Sequence, residues 1–345
     1  MNGQMRENLA WEGVRVVSIN DVAGRAGVSR QTVSNVLNAP ERVAPGTRTR
    51  VEDAIDALGY RPNQTARSLR AQRTRLIGLA LTGGDPDWTS TVINRFLHAF
   101  TEAAAAERFN VLLFPRGSDP VRSHLALYET STVDGFVLMD NEPDDPRVQA
   151  LAERGVPFVA FGRTHVDAPH DVIDVDGASG TRAAVEHLVA KGRRNLGFVG
   201  WPSDSIVGEE RLRGAREGCA AADLDPDDLA VVRRVNTIAA GTDAASVLLD
   251  QPRPPDGIVA ASDTLAIGVF RALRARGLTP GRDVGVVGFD DAPTAAQLDP
   301  PLTSVRQPLQ EVAERIVQRI EVRFTALDEP HVQELIAPRL IVRET

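Results

Sequence analysis

The chain has 345 residues, 42% of them hydrophobic and 25% charged, with a formal net charge of −8. That composition belongs to a globular protein large enough for one small and two medium domains. A single cysteine, Cys219, excludes an internal disulfide and a cysteine-cluster metal site, and no apolar run approaches the length that spans a bilayer.

Residues 1–15 are polar and carry Glu7 and Glu12 where a signal peptide needs an apolar core. They are expected to form a disordered tail on a cytoplasmic protein. The charge is unevenly spread. Residues 1–75 hold 12 arginines against 7 acidic residues, while the rest holds 27 basic against 40 acidic residues. A positive end on an acidic chain suits a DNA-binding piece. Arg61 to Arg75 contains five arginines and no acid; on charge alone a solvated basic linker remains open.

Residues 16–60 carry three helix signals. Ser18 is placed to cap a first helix with Asp21 in its opening turn, and Ile19, Val22, Ala23 and Ala26 share one face. Gly27 permits a tight turn. Ser29 caps a second helix that buries Val33, Val36 and Leu37 and exposes Arg30, Gln31, Ser34 and Asn35. Pro45 opens a third, with Val51, Ile55 and Leu58 on one stripe and Gly59 as its stop. This is a helix-turn-helix pattern whose second helix can read base edges in the major groove. Periodicity by itself leaves a three-helix peptide-binding module open.

The run DVAGRAGVSRQTVSNVLN, followed by YRPNQTARSLRAQRTRLIGL, resembles the start of the LacI family of repressors. The resemblance implies a dimeric, DNA-binding transcription regulator. It also implies that Pro62–Gln72, within a hinge at 61–75, forms a short helix on DNA, with Leu69 wedged into the minor groove. The residues suit that role: Ala66 and Leu69 make an i, i+3 apolar edge, and Arg67, Arg70 and Arg73 can reach phosphates. The DNA-contacting set is expected to be Ser29, Arg30, Gln31, Thr32, Ser34, Asn35 and Asn38, then Asn63, Ala66, Arg67, Leu69 and Arg70.

From Leu76 onward strands alternate with helices. Strands are expected at Leu76–Leu81, Val111–Phe114, Phe136–Met139, Phe158–Phe161, Leu196–Val199, Ile258–Ala261 and Val284–Val287, with helices such as Ala178–Ala190, Asp263–Arg276 and Leu309–Phe324. The alternation predicts an α/β core with parallel sheets, too long for one sheet and so divided into two lobes. The family resemblance implies two doubly wound lobes of periplasmic-binding-protein type, joined by crossovers near 173–176, 302–306 and 325–333. The first lobe is then 76–174 with 305–326, and the second 175–303 with 327–345.

In such sheets ligands bind beyond the carboxyl ends of the strands. The residues there include Trp88, Asp140, Arg163, Trp201, Ser262, Asp263 and Asp290, with Arg211 and Arg213 opening the helix after Trp201. ERLRGAREG resembles the family segment whose arginine, here Arg213, binds the effector, and GFDD the segment supplying an aspartate, here Asp290. ASDTLAIG matches a segment usually reading A-N-D, with Ser262 in place of asparagine. Asp290 can also close a turn, Arg213 can pair with Glu209 or Glu217, Asp263 can cap a helix, and Trp88 can be core.

No H-x-x-x-H, H-E-x-x-H or G-x-S-x-G pattern occurs, so neither an enzyme nor a cofactor or metal site is expected. A secreted solute-binding protein shares the fold of the larger piece but has no use for the N-terminal helices. The expectation is a repressor controlled by a small neutral carbohydrate bound between the lobes, as a homodimer on a near-palindromic operator without membrane contact. A purine or other metabolite is the alternative effector.

Overall fold

The computed structural model describes residues 17–60, 73–81, 91–326 and 328–345. It divides into two compact units, Met1–Thr74 and Arg75–Thr345. Asn63, Ala66, Arg67, Leu69, Arg70 and Trp88 lie outside the described residues. Among those described, no helix is long and apolar enough to cross a membrane.

In the first unit, α1 is Ile19–Ala26, α2 Arg30–Asn38 and α3 Pro45–Leu58. Ser18 Oγ accepts the Asp21 amide at 3.3 Å, and the Asp21 carboxylate accepts the Ser18 amide at 2.8 Å. This reciprocal cap satisfies two amides that a helix start leaves unpaired. Gly27 ends α1 at φ 64, a left-handed conformation that glycine adopts without a Cβ penalty. Ser29 Oγ then accepts the Thr32 amide at 3.1 Å and starts α2. Val22, Ala23, Ala26, Val33, Val36, Val51 and Ala54 close a small common core. Leu37, Ile55 and Leu58 pack at its rim.

The second unit begins at Arg75, whose amide donates to Asp134 Oδ2 at 2.7 Å. Its first lobe has β1 (Leu76–Leu81), α4 (Thr91–Ala106), β2 (Asn110–Pro115), α5 (Pro120–Glu129), β3 (Gly135–Leu138), α6 (Pro146–Glu153), β4 (Phe158–Phe161) and β5 (Asp171–Val175). The second has α7 (Gly177–Ala190), β6 (Leu196–Gly200), α8 (Ile206–Ala221), β7 (Ala230–Arg233), α9 (Ile238–Leu249), β8 (Gly257–Ala260), α10 (Asp263–Ala275), β9 (Gly285–Phe289) and β10 (Thr303–Arg306). The chain returns to the first lobe through α11 (Leu309–Thr325) and β11 (Gln333–Ile336), and ends in the second with β12 (Arg339–Ile341).

The first sheet runs β11-β5-β4-β3-β1-β2 and the second β12-β10-β9-β8-β6-β7. All pairs are parallel except β10 with β12. Helices cover both faces, so the central strands are buried throughout: β3, β5, β6, β8 and β9 expose no residue. Such strands read as continuous apolar runs.

The third crossover departs from the sequence expectation. It lies at 337–338, between β11 and β12, and not at 325–333, because β11 pairs with β5 in the first sheet. Residues 328–336 therefore belong with the first lobe. β11 reads QELI, with two of its four residues exposed, and too short and polar a strand gives no apolar signal. Val305 and Arg306 are likewise in β10 of the second sheet, so that crossover follows Arg306.

Candidate functional site

On α2, Ser29, Arg30 and Gln31 are exposed, while Thr32, Ser34 and Asn35 are half-buried. Gln31 Nε2 donates to Asn35 Oδ1 at 3.0 Å, and the hydroxyls of Ser29 and Thr32 share a hydrogen bond of 2.9 Å at the cap. Asn38 is the last residue of α2. One turn and a half of helix thus presents donors and acceptors side by side, because i, i+1 and i, i+4 positions flank the buried Val33 and Val36 stripe.

Between the two lobes of the second unit lies a cavity of about 360 Å³. From the first lobe, Met139, Asp140, Asn141, Phe161, Gly162, Arg163 and Asp174 line it; from the second, Trp201, Ile206, Val207, Arg211, Asn236 and Asp290; Gln307 joins them from the second crossover. Asp140, Gly162, Arg163 and Asp290 sit just past strand ends, where the backbone turns sharply. Asp140 has φ 49, Gly162 φ 96 and Asp290 φ 113. A non-glycine residue held there stores roughly 1–3 kcal/mol, which the surroundings must enforce.

They do so on both walls. Arg147, 1% exposed, donates to Asp145 at 2.6 Å, to the Met139 carbonyl at 3.0 Å and to Asn141 Oδ1 at 3.3 Å. Asn141 Nδ2 in turn donates to the carbonyls of Phe161 at 3.1 Å and Gly162 at 2.8 Å. Opposite, the Asp290 amide donates to the Val305 carbonyl at 2.8 Å, and Gln307 Nε2 donates to Asp290 Oδ1 at 2.7 Å. Arg95, from α4 of the first lobe, donates across the cleft to the carbonyls of Asp290 at 3.1 Å and Asp291 at 3.0 Å.

Arg211 is the buried cation of this site. Its guanidinium centre stands 3.7 Å from the Phe289 ring centroid and 4.8 Å from that of Trp201. Nη1 donates to the Ala261 carbonyl and lies 3.8 Å from Asp290 Oδ1. Burial pushes the Asp290 carboxyl well above the usual carboxylate range, which Arg211 and Gln307 only partly offset. Burial likewise raises Asp174, against the pull of Arg163, whose Nε donates to it at 3.0 Å. Two buried N–H donors at the cavity, Arg211 Nε and Trp201 Nε1, have no hydrogen-bond partner. An unmet buried donor is destabilising by about 1–3 kcal/mol.

The structure brings Asp140, Arg163, Trp201 and Asp290 to this cavity and leaves three other expected residues outside its lining. Arg213 is half exposed and pairs with Glu210 and Glu217. It lies about 200° around α8 from Arg211, since each residue turns 100°. Arg211, Leu212, Ala215, Gly218 and Cys219 form the buried face, and a Cβ on Gly214 would stand 2.0 Å from the Ala178 carbonyl. The close approach of α7 therefore fixes which arginine turns inward. Ser262 is fully buried. Its Oγ caps α10 through the Leu265 amide at 3.2 Å and donates at 2.6 Å to Oδ1 of Asn236, which lines the cavity. Asp263 accepts Ser304 Oγ at 2.6 Å and the Ala292 amide at 2.7 Å. Burial and the nearby Asp290 charge raise its carboxyl too.

Sequence reasoning missed Asn141, Asp174, Asn236 and Gln307. Asn236 follows β7 and Gln307 follows β10, two strands absent from the expected set. Asp174 lies inside β5, where the alternating DVIDVD run was the available signal.

Comparison with known proteins agrees with this architecture. The family model for bacterial regulatory proteins, lacI family, matches residues 18–63, and that for a periplasmic binding protein-like domain matches residues 185–345. The HTH-type transcriptional regulator CelR of Thermobifida fusca is 34% identical over 329 residues, 94% of this chain and 96% of its own. A solved complex of the transcriptional regulator CelR with cellobiose aligns at TM-score 0.70 and 31% identity, covering 95% of this chain and 99% of that one. The lac repressor dimer bound to operator and the anti-inducer ONPF aligns at TM-score 0.83 and 26% identity, covering 96% and 99%.

Proposed function

The chain belongs to the lacI family of bacterial regulatory proteins and is a transcriptional regulator, and from that premise we propose that it is a repressor released or retained on DNA by a small neutral carbohydrate in the interlobe cavity. It works in the cytoplasm as a homodimer on a near-palindromic operator, since two-fold symmetry places two copies of α2 in successive major grooves. Gln31, Arg30, Ser34 and Asn35 read base edges, with Ser29, Thr32 and Asn38 beside them. Asn63, Ala66, Arg67, Leu69 and Arg70 engage the minor groove and phosphates between half-sites.

The observation that carries the effector reading is the mixed lining of the cavity, with the guanidinium groups of Arg163 and Arg211 beside the carboxylates of Asp140, Asp174 and Asp290. A sugar hydroxyl accepts from the first kind of group and donates to the second, so each ligand oxygen can satisfy both. Trp201 and Phe161 supply apolar surface for the C–H faces of a ring. That CelR has been solved with cellobiose supports the same class.

The ligand acts by preferring one arrangement of the lobes. It shifts DNA affinity by its differential binding free energy and no more, typically about 1–3 kcal/mol. A thermal-shift screen of sugars, polyols and nucleobases tests the class. Stabilisation by neutral sugars that is lost in Asp290→Asn is expected, and stabilisation by a nucleobase alone would overturn the carbohydrate reading.

A further inference from the structure

The interlobe cavity carries two arginines, and a cavity with two guanidinium groups ordinarily suits an anion. Here each is already balanced. Arg211 stands against Asp290 at 3.8 Å and gives Nη1 to the Ala261 carbonyl. Arg163 gives Nε to Asp174 at 3.0 Å on its own lobe, and its Nη1 stands 3.1 Å from Glu210 Oε2, which reaches it from α8 of the opposite lobe. Glu210 does not itself line the cavity. Arg213 grips it from the solvent side, and the two arginines together hold its carboxyl below the usual range. A carboxylate so placed stays ionised behind Arg163.

We infer that Glu210 is the specificity-determining counter-ion of the site: by occupying the outer edge of Arg163 it reserves the cavity for uncharged ligands and turns away sugar acids and sugar phosphates. The inference rests on the carbohydrate reading of the cavity. Glu210 also ties the lobes together, but loss of that tie would alter every ligand alike. The ratio of affinities for a neutral sugar and its anionic analogue therefore isolates the charge effect.

The test uses the full chain and pairs of probes that differ only in a hydroxymethyl oxidised to a carboxylate: glucose and glucuronate, galactose and galacturonate, cellobiose and its uronate. Titration calorimetry gives both affinities for wild type, Glu210→Gln and Glu217→Gln. The last is the same charge change on the other partner of Arg213. Wild type should prefer the neutral member, and Glu210→Gln should narrow that preference about tenfold, in line with one unit charge within several ångströms at an intermediate dielectric. Glu217→Gln should leave the preference within about threefold, because an exposed charge farther out is screened. An unchanged ratio in Glu210→Gln, or an equal narrowing in Glu217→Gln, overturns the inference while leaving the carbohydrate reading intact. Binding of none of the neutral sugars by wild type overturns both.

Discussion

The N-terminal helices and the interlobe cavity are built on opposite principles. Each decision in the helical unit is local: Ser18 and Asp21 close one cap, Gly27 makes one turn, Ser29 starts the next helix. The cavity is assembled from chain segments up to about two hundred residues apart, among them Arg95 with Asp290 and Asp291, and Arg163 with Glu210. Its geometry depends on how α7 packs on α8 and how the crossovers return. A short-range code is readable in a single stretch of sequence, whereas a long-range one shows only its parts. The corollary is energetic. Changes in the cavity act through a buried, charged network and should be large, while changes on helix surfaces should be modest.

The largest effect is expected at Arg211. Arg211→Met removes the buried cation beside Asp290 and leaves that carboxylate unmatched, a loss of about 3–5 kcal/mol in comparable pairs. Sugar binding followed by calorimetry should fall below detection, with operator binding retained at a temperature where the chain is folded. Wild-type sugar affinity in this variant would place the ligand elsewhere.

Gln31→Ala comes next. It should weaken binding to the cognate site by about 1–3 kcal/mol and scarcely alter binding to random DNA, as seen by anisotropy at fixed salt. Equal losses on both would make Gln31 a general contact and remove α2 as the reader. Gly27→Ala follows, at about 1 kcal/mol, because alanine at φ 64 is strained where glycine is not. Faster hydrogen exchange at the Val22 and Val33 amides is the measurement.

The smallest effect is expected at Arg213. Its pairs with Glu210 and Glu217 are half exposed, and such pairs contribute about 0–1 kcal/mol. Arg213→Ala should leave sugar affinity within about threefold. A loss matching that of Arg211→Met would reverse the assignment of the two arginines.

How much was legible in the sequence follows the same divide. The three N-terminal helices and the buried central strands follow from caps, glycines and apolar runs. β5, β7, β10, β11 and β12 are absent from the expected strands: β5 and β10 fall where crossovers are expected, and β11, at a sheet edge, is largely polar. Asp140, Arg163, Trp201 and Asp290 reach the cavity lining because they follow strand ends, a rule that needs no long-range knowledge. The motif points to Arg213, whereas the buried face of α8 turns Arg211 to the cavity. The spacing of Arg211 with Leu212, Ala215 and Cys219 held that answer. Ser262 and Asp263, expected at the ligand, lie outside the cavity lining and hydrogen-bond to Asn236, Ala292 and Ser304.

A ligand between the lobes should set the affinity for DNA, and that coupling is open to direct measurement. It is tested most directly by titrating a DNA site selected from a random pool against wild type and Asp290→Asn, each with and without a saturating concentration of the sugar that stabilises the wild type. Wild type should shift by about 5- to 150-fold and the variant not at all, with ligand-free affinities within a few fold of each other. Equal shifts in both proteins, or a folded variant that no longer binds the site without ligand, would contradict it.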